Sequence, residues 1–169
     1  AASDVYKRQI INLSGYKKLN GSQLTKGDIT YILNSLKSEI HEKESQKSTI
    51  HIFNSNYHLD KKKINNLPIG LFGNFYSQEL SFFLIDINDY KNIKNIFEKC
   101  NLKIRKIISK NFVEGISLIR INQNIETFFT LNMSKESSQI FFFENSSLKF
   151  IQNFNFGTEI IINLSLIHI

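Results

Sequence analysis

The stretch IHIFNSNYHLD, KKKI, NNLPIGLFG, residues 50–73, decides how the rest of the chain is read. Its first part is rich in branched and aromatic residues, so 50–60 reads as a strand with Ile50, Ile52, Tyr57 and Leu59 turned inward. NNLPIGLFG then breaks the pattern with the chain's single proline, Pro68, and two glycines, Gly70 and Gly73. A chain that reverses after a proline-fixed φ often needs positive φ or a close backbone approach, and glycine permits both without a Cβ clash. The three residues therefore read as a structural turn between strands, with no catalytic role.

Working upstream, LTKGDITYILNSLKSEI pairs Thr25 with Asp28 at capping-box spacing and places Ile29, Ile32, Leu33, Leu36 and Ile40 on one helical face. That spacing predicts a helix over 26–42. Downstream, residues 75–87 form a long apolar and aromatic run that predicts a strand. Asn88 is placed to cap a following helix whose Tyr90, Ile93, Phe97 and Cys100 share a face, which puts Cys100 in the core. KIRKIIS, 103–109, reads as a short buried strand, and Asn111 with Glu114 reads as a second capping signal before the helical FVEGISLI. From Ile125 the pattern becomes short strands, ETFFTLN, SSQIFFFEN and SLKFIQNF, with a hairpin turn at Asn145 and Ser146 and the opening of a separate sheet. The run Phe141, Phe142, Phe143 reads as a strand buried on both faces, a simpler reading than a base-stacking surface beside Lys149. Taken together, the elements predict an α+β fold.

Composition removes several function classes. The net charge of +6 and pI near 9.3 look basic, but the lysines are scattered, and the only run, 61–63, reads as a solvated turn. Nucleic-acid binding, which would show affinity falling steeply with salt, is a rival reading without a basic patch behind it. One cysteine allows no intrachain disulfide and no CxxC pair. His41, His51 and His58 have no metal-ligand spacing, so no metal is assigned. No GxSxG and no GxxxxGK[ST] supplies a nucleophile elbow or a P-loop. No run approaches the ~18 apolar residues of a membrane span.

Both ends read as foreign to the protein. DVYKRQ, 4–9, can be encoded by GATGTGTATAAGAGACAG, and LSLIHI, 164–169, by CTGTCTCTTATACACATC, and these strings are reverse complements. The pair resembles one transposase sequencing adapter ligated to both ends of a DNA fragment, so 1–9 and 164–169 are expected to be adapter translation and 10–163 an interior piece of a larger protein.

The order helix, strand, PIGLFG turn, long strand, helix ending in CNLKI, then strand and helix resembles FtsA, the actin-like bacterial division protein family. IHIFNSNYHLD resembles that family's LHV-P-x-x-F-x-L-D strand pair. NNLPIGLFG resembles its NPIG-x-x-G turn with Pro68, Ile69, Gly70 and Gly73 aligned, and EKCNLKI resembles its AGL-x-V helix end. The resemblance implies that 10–24 is the edge of domain 1A, 25–102 the SHS2-type 1C subdomain, 103–122 a return to domain 1A, and 123–163 the start of domain 2A. The two actin-like domains, of ribonuclease H-like type, are then partial.

It also implies a function: a scaffold at the division septum, on the cytoplasmic face of the membrane. Such a scaffold polymerises, binds FtsZ, recruits later division proteins, and reaches the membrane through a C-terminal amphipathic helix outside this sequence. One departure stands out. Where the family's phosphate hairpin reads D-I-G-G-G-T-T-D, this chain reads NMSKESSQ, 132–139, without a glycine. Glycines let backbone N–H groups approach phosphate oxygens, and a carboxylate holds the hydration shell of Mg²⁺. Asn132 and Gln139 supply no charge, whereas Ser134, Lys135 and Ser137 keep polar groups but crowd the space. The expected cofactor of the intact family, ATP with Mg²⁺, is therefore not expected to bind here in the usual way, and little or no hydrolysis is expected. FGTE, 156–159, resembles the family's glycine and threonine at the end of the next hairpin. The rivals sharing the architecture are a PilM-type pilus assembly protein and an actin-fold ATPase or sugar kinase.

Overall fold

The computed structural model describes residues 8–122 and 124–167. Of the stretches read as adapter, 1–7 and 168–169 lie outside the described residues, as does residue 123, where the last domain boundary was placed.

The fold is α+β, with two antiparallel sheets and four helices among the described residues. β1 (Arg8–Lys18) leads to α1 (Lys26–Lys43), then β2 (Lys47–Leu59), a short β3 (Lys62–Ile64) and β4 (Phe75–Asp86). α2 (Ile87–Lys99) and α3 (Lys110–Ile121) follow, then β5 (Thr127–Met133), β6 (Ser138–Glu144), β7 (Ser147–Phe154) and α4 (Thr158–Ile167). The first sheet runs β1-β4-β2-β3 and the second β5-β6-β7. β1, read as the edge of a neighbouring domain, pairs along all 11 of its residues with β4. No helix among the described residues is long and apolar enough to cross a membrane.

β4 sits between β1 and β2, and both of its faces are covered. Tyr76, Leu80, Phe82 and Leu84 point to one side, where Ile32, Leu36 and Ile40 of α1 close over them. α1 is placed by the expected capping box: the Thr25 hydroxyl accepts from the Asp28 N–H at 3.2 Å, while the Asp28 carboxylate accepts from the Thr25 N–H at 2.9 Å. On the opposite side Phe83 joins Phe53 of β2 and Phe141, Phe143 and Leu148 of the second sheet. β7 lies against β1, β2 and β4, so the separate sheet expected from the sequence is stacked on the first.

Several expectations change on inspection. Ile50 and Ser55 are extra residues at two irregularities in the β2–β4 ladder, and each one flips the side-chain alternation. In consequence Ile50 packs toward the second sheet, whereas Ile52, Tyr57 and Leu59 pack toward α1. Phe141 and Phe143 are buried, but Phe142 faces outward and stacks on Phe150, so the phenylalanine run is buried on one face only. Segment 103–109 forms no strand. Asp86, not Asn88, caps α2, accepting from the Asn88 N–H at 2.8 Å. α3 begins after Ser109 without a side-chain cap, and Glu114 instead pairs with Lys110 at 3.5 Å. α2 buries none of its residues and Cys100 is exposed, because the helix only borders β2 and β4, with Ile93 and Ile96 facing Ile50, Phe83 and Ile85 across an open cavity.

Candidate functional site

The residues proposed for the phosphate hairpin come together at the β5–β6 turn. Met133 and Ser138 close the ladder, and Ser134 and Ser137 close the turn. The Ser134 N–H donates to the Ser137 carbonyl at 2.8 Å, and the Ser134 hydroxyl accepts from the Ser137 N–H at 3.2 Å. Both serines thus spend their polar groups on each other. Asn132 and Gln139 face one another across the strands, and Gln139 donates to the Asn153 side chain at 2.7 Å.

The turn is also held from outside. α4 starts beneath it, and a helix N-terminus with its unsatisfied N–H groups is where an anion would settle. Here the Thr158 N–H donates to the Ser134 carbonyl at 3.0 Å and the Glu159 N–H to the Lys135 carbonyl at 3.1 Å. Lys135 pairs with Glu159 at 3.7 Å, and the Ser138 hydroxyl donates to the Phe156 carbonyl at 2.7 Å. Gly157 makes the contact possible, since a Cβ there would lie 2.2 Å from the Ser134 carbonyl oxygen and 2.5 Å from that of Lys135. The result is a hairpin that presents carbonyl oxygens to the helix start and consumes two of its donors. That geometry locks two chain segments together.

The Pro68, Gly70, Gly73 turn lies at the far end of the first sheet. The Leu71 N–H donates to the Pro68 carbonyl at 3.2 Å, and Gly70 takes φ +85°, the value that favours glycine. Gly73 is needed for the other reason: a Cβ would fall 2.5 Å from Leu59. The turn is bound to the link before α1, with the Gly70 N–H on the Leu24 carbonyl at 2.8 Å and the Leu24 N–H on the Leu71 carbonyl at 2.9 Å. Asp60 accepts from the N–H groups of Asn74 and Phe75, both at 2.8 Å.

Sequence reasoning missed a polar cluster between the sheets. Lys149 is only 6% exposed and meets Glu79 at 2.9 Å and Glu144 at 3.6 Å. Glu79 also accepts from Asn56 at 2.6 Å, Asn56 accepts from Asn145 at 3.0 Å, and Asn12 donates to the Lys149 carbonyl at 3.0 Å. Burial pushes the Glu79 carboxyl up, but the hydrogen bonds from Lys149 and Asn56 outweigh it and hold it below its ordinary value. The ladder skips Lys149, pairing Phe142 with Phe150 and Phe143 with Leu148, and this bulge turns the lysine inward beside a buried leucine. Among the described residues, no group of His, Cys, Asp or Glu is arranged to hold a metal ion. His51 instead packs its ring 4.3 Å from that of Phe53, and burial, with Lys106 nearby, lowers its pKa.

No protein-family model matches the chain, and no curated protein matches it at a significant level.

Proposed function

We propose that this chain is the interior of an FtsA-type division scaffold, whose intact form links FtsZ filaments to the inner face of the membrane and recruits later division proteins. In this reading residues 25–102 form an SHS2-type subdomain and the second sheet opens an actin-like domain. What supports the family half is the order α1, β2, Pro68–Gly73 turn, β4, α2, read together with the motifs of residues 50–73. The coil at 103–109 is the point where that order is weakest.

The observation that carries the scaffold half is the closed hairpin. Ser134 and Ser137 satisfy each other, and the carbonyls of Ser134 and Lys135 take the first N–H groups of α4. A site working on ATP needs the opposite polarity, with N–H groups facing the phosphates. The scaffold therefore depends on contacts between folded surfaces and not on turnover.

Co-sedimentation of the intact protein with assembled FtsZ filaments tests this. The expected result is saturable pelleting with the filaments in excess of what the protein sediments alone. Absence of FtsZ-dependent pelleting, under conditions where the filaments form, would overturn the reading.

A further inference from the structure

We propose that the end of the first sheet carrying the Pro68–Gly73 turn is a docking surface for an anionic phospholipid bilayer. The proposal stands on the geometry of this end alone and does not need the division reading.

The register fixes which residues gather there. Lys17 and Lys18 lie opposite Tyr76 and Phe75, and Leu59 lies opposite both Tyr76 and Lys62, so β1, β2, β3 and β4 all terminate at one place. The hydrogen bonds between Leu24 and the turn bring the start of α1, with Lys26, to the same end. Leu67, Ile69, Leu71 and Phe72 of the turn are exposed, Phe72 to 69%, and Tyr16 stacks on Phe75 beside them at 5.5 Å.

Around this apolar tip stand five exposed lysines, Lys18, Lys26, Lys61, Lys62 and Lys63. The nearby acids are turned to internal tasks. Asp28 accepts from Thr25 and pairs with Lys17 at 3.6 Å, and Asp60 is held by the N–H groups of Asn74 and Phe75. Net positive charge therefore surrounds exposed leucine, isoleucine and phenylalanine.

That combination selects the partner. Exposed apolar side chains gain by entering the acyl boundary, while a cluster of lysines gains from the negative surface potential of anionic lipids. Nucleic acid would satisfy the lysines and leave the apolar tip in water. The surface is also unlike the outer face of the second sheet, where Phe129 is exposed and its cross-strand neighbours are Phe142 and Phe150.

Vesicle co-sedimentation of the purified chain tests the proposal, with phosphatidylglycerol–phosphatidylcholine vesicles against pure phosphatidylcholine. Binding is expected only to the anionic vesicles and is expected to weaken with salt. Changing Lys61, Lys62 and Lys63 to Gln lowers the partition coefficient roughly a hundredfold. Leu71→Ser with Phe72→Ser lowers it at least about tenfold, and Phe129→Ser leaves it unchanged. All these side chains are exposed, and circular dichroism checks that the variants keep their fold. Because the chain has no tryptophan, Phe72→Trp supplies a single reporter whose emission shifts to the blue as anionic vesicles are added. No binding to anionic vesicles, equal binding to neutral ones, or binding indifferent to both the lysine and the Phe72 changes would overturn the proposal. So would a lipid-free dimer that Phe72→Ser abolishes without any vesicle binding, since that would make the surface a protein interface.

Discussion

The two faces of the first sheet are sealed by different chemistry. Toward α1 the contact is mainly apolar, built on Leu80, Phe82 and Leu84 against Ile32, Leu36 and Ile40, with one buried amide, Gln78, bonded to the Tyr76 and Asn54 side chains. Toward the second sheet, an aromatic cluster shares the interface with Lys149, Glu79, Asn56 and Asn145, and the Ser147 hydroxyl donates to the Asn54 carbonyl at 2.5 Å. Apolar packing gains stability from area with little directional demand, whereas each buried polar group must find its partner or cost free energy. The α1 face is thus the source of stability, and the opposite face fixes how one sheet sits on the other.

The sharpest test of that division is Phe82→Ala, which removes a ring with no exposed surface and is expected to cost about 3–5 kcal/mol in urea unfolding. A loss below ~1 kcal/mol would break the claim that the α1 face dominates. Lys149→Met probes the polar side. It leaves Glu79 partly buried without its cation, and since the Glu79 side chain keeps 29% exposure, the expected cost is about 1–3 kcal/mol. Adding Glu79→Gln to Lys149→Met should recover part of that loss, and a double-mutant cycle measures the coupling.

Acid should loosen the polar face selectively. The folded Glu79 carboxyl titrates below its ordinary value of 4.5, so its stabilisation is complete above that pH and disappears as the pH falls through the folded pKa. Glu79→Gln should flatten this part of the stability profile, and an unchanged slope between wild type and variant would show that the ion pair contributes nothing. The smallest effect belongs to a surface outside both faces. Ile96→Ser on α2, where the side chain is 61% exposed, should change stability by less than ~0.5 kcal/mol. Cys100 should react with an alkylating reagent in the native chain as readily as in the unfolded one, and protection would mean that α2 is covered.

α1 and α2 show what periodicity in a sequence can and cannot say. Both helices have an apolar face legible at 3.6-residue spacing, and the capping box at Thr25 fixed the start of α1 correctly. Yet only α1 buries its apolar face on the sheet, because Leu24 and the Pro68–Gly73 turn anchor its N-terminus there, whereas α2 touches β2 and β4 without burying a residue. For α2 the pattern names a face without supplying a surface to cover it, so Cys100 ends in solvent. Segment 103–109 has a strand's composition but pairs with no neighbour, and composition cannot create the partner strand. The bulges at Ile50, Ser55 and Lys149 were invisible for a related reason: register is set by the partner, and one extra residue reverses the faces.

The candidate sites were legible to different degrees. Gly70 and Gly73 could be read because a turn after proline makes local demands, and the structure satisfies one through φ and the other through close approach. The loss of glycine from 132–139 was also visible, but its consequence was not. The hydrogen bonds from Thr158 and Glu159 join residues more than twenty positions apart, and Gly157 gave only a hint of that contact. The Lys149–Glu79 pair spans 70 positions, and nothing local marks it except a lysine next to a leucine in a strand.

The central claim is that this hairpin fastens chain segments instead of holding a nucleotide. Isothermal titration of Mg²⁺–ATP into the intact protein tests it most directly. The account predicts no saturable binding up to millimolar nucleotide, with Lys135→Ala making no difference. Stoichiometric micromolar binding that Lys135→Ala weakens would contradict it, because the hairpin would then open to the phosphates.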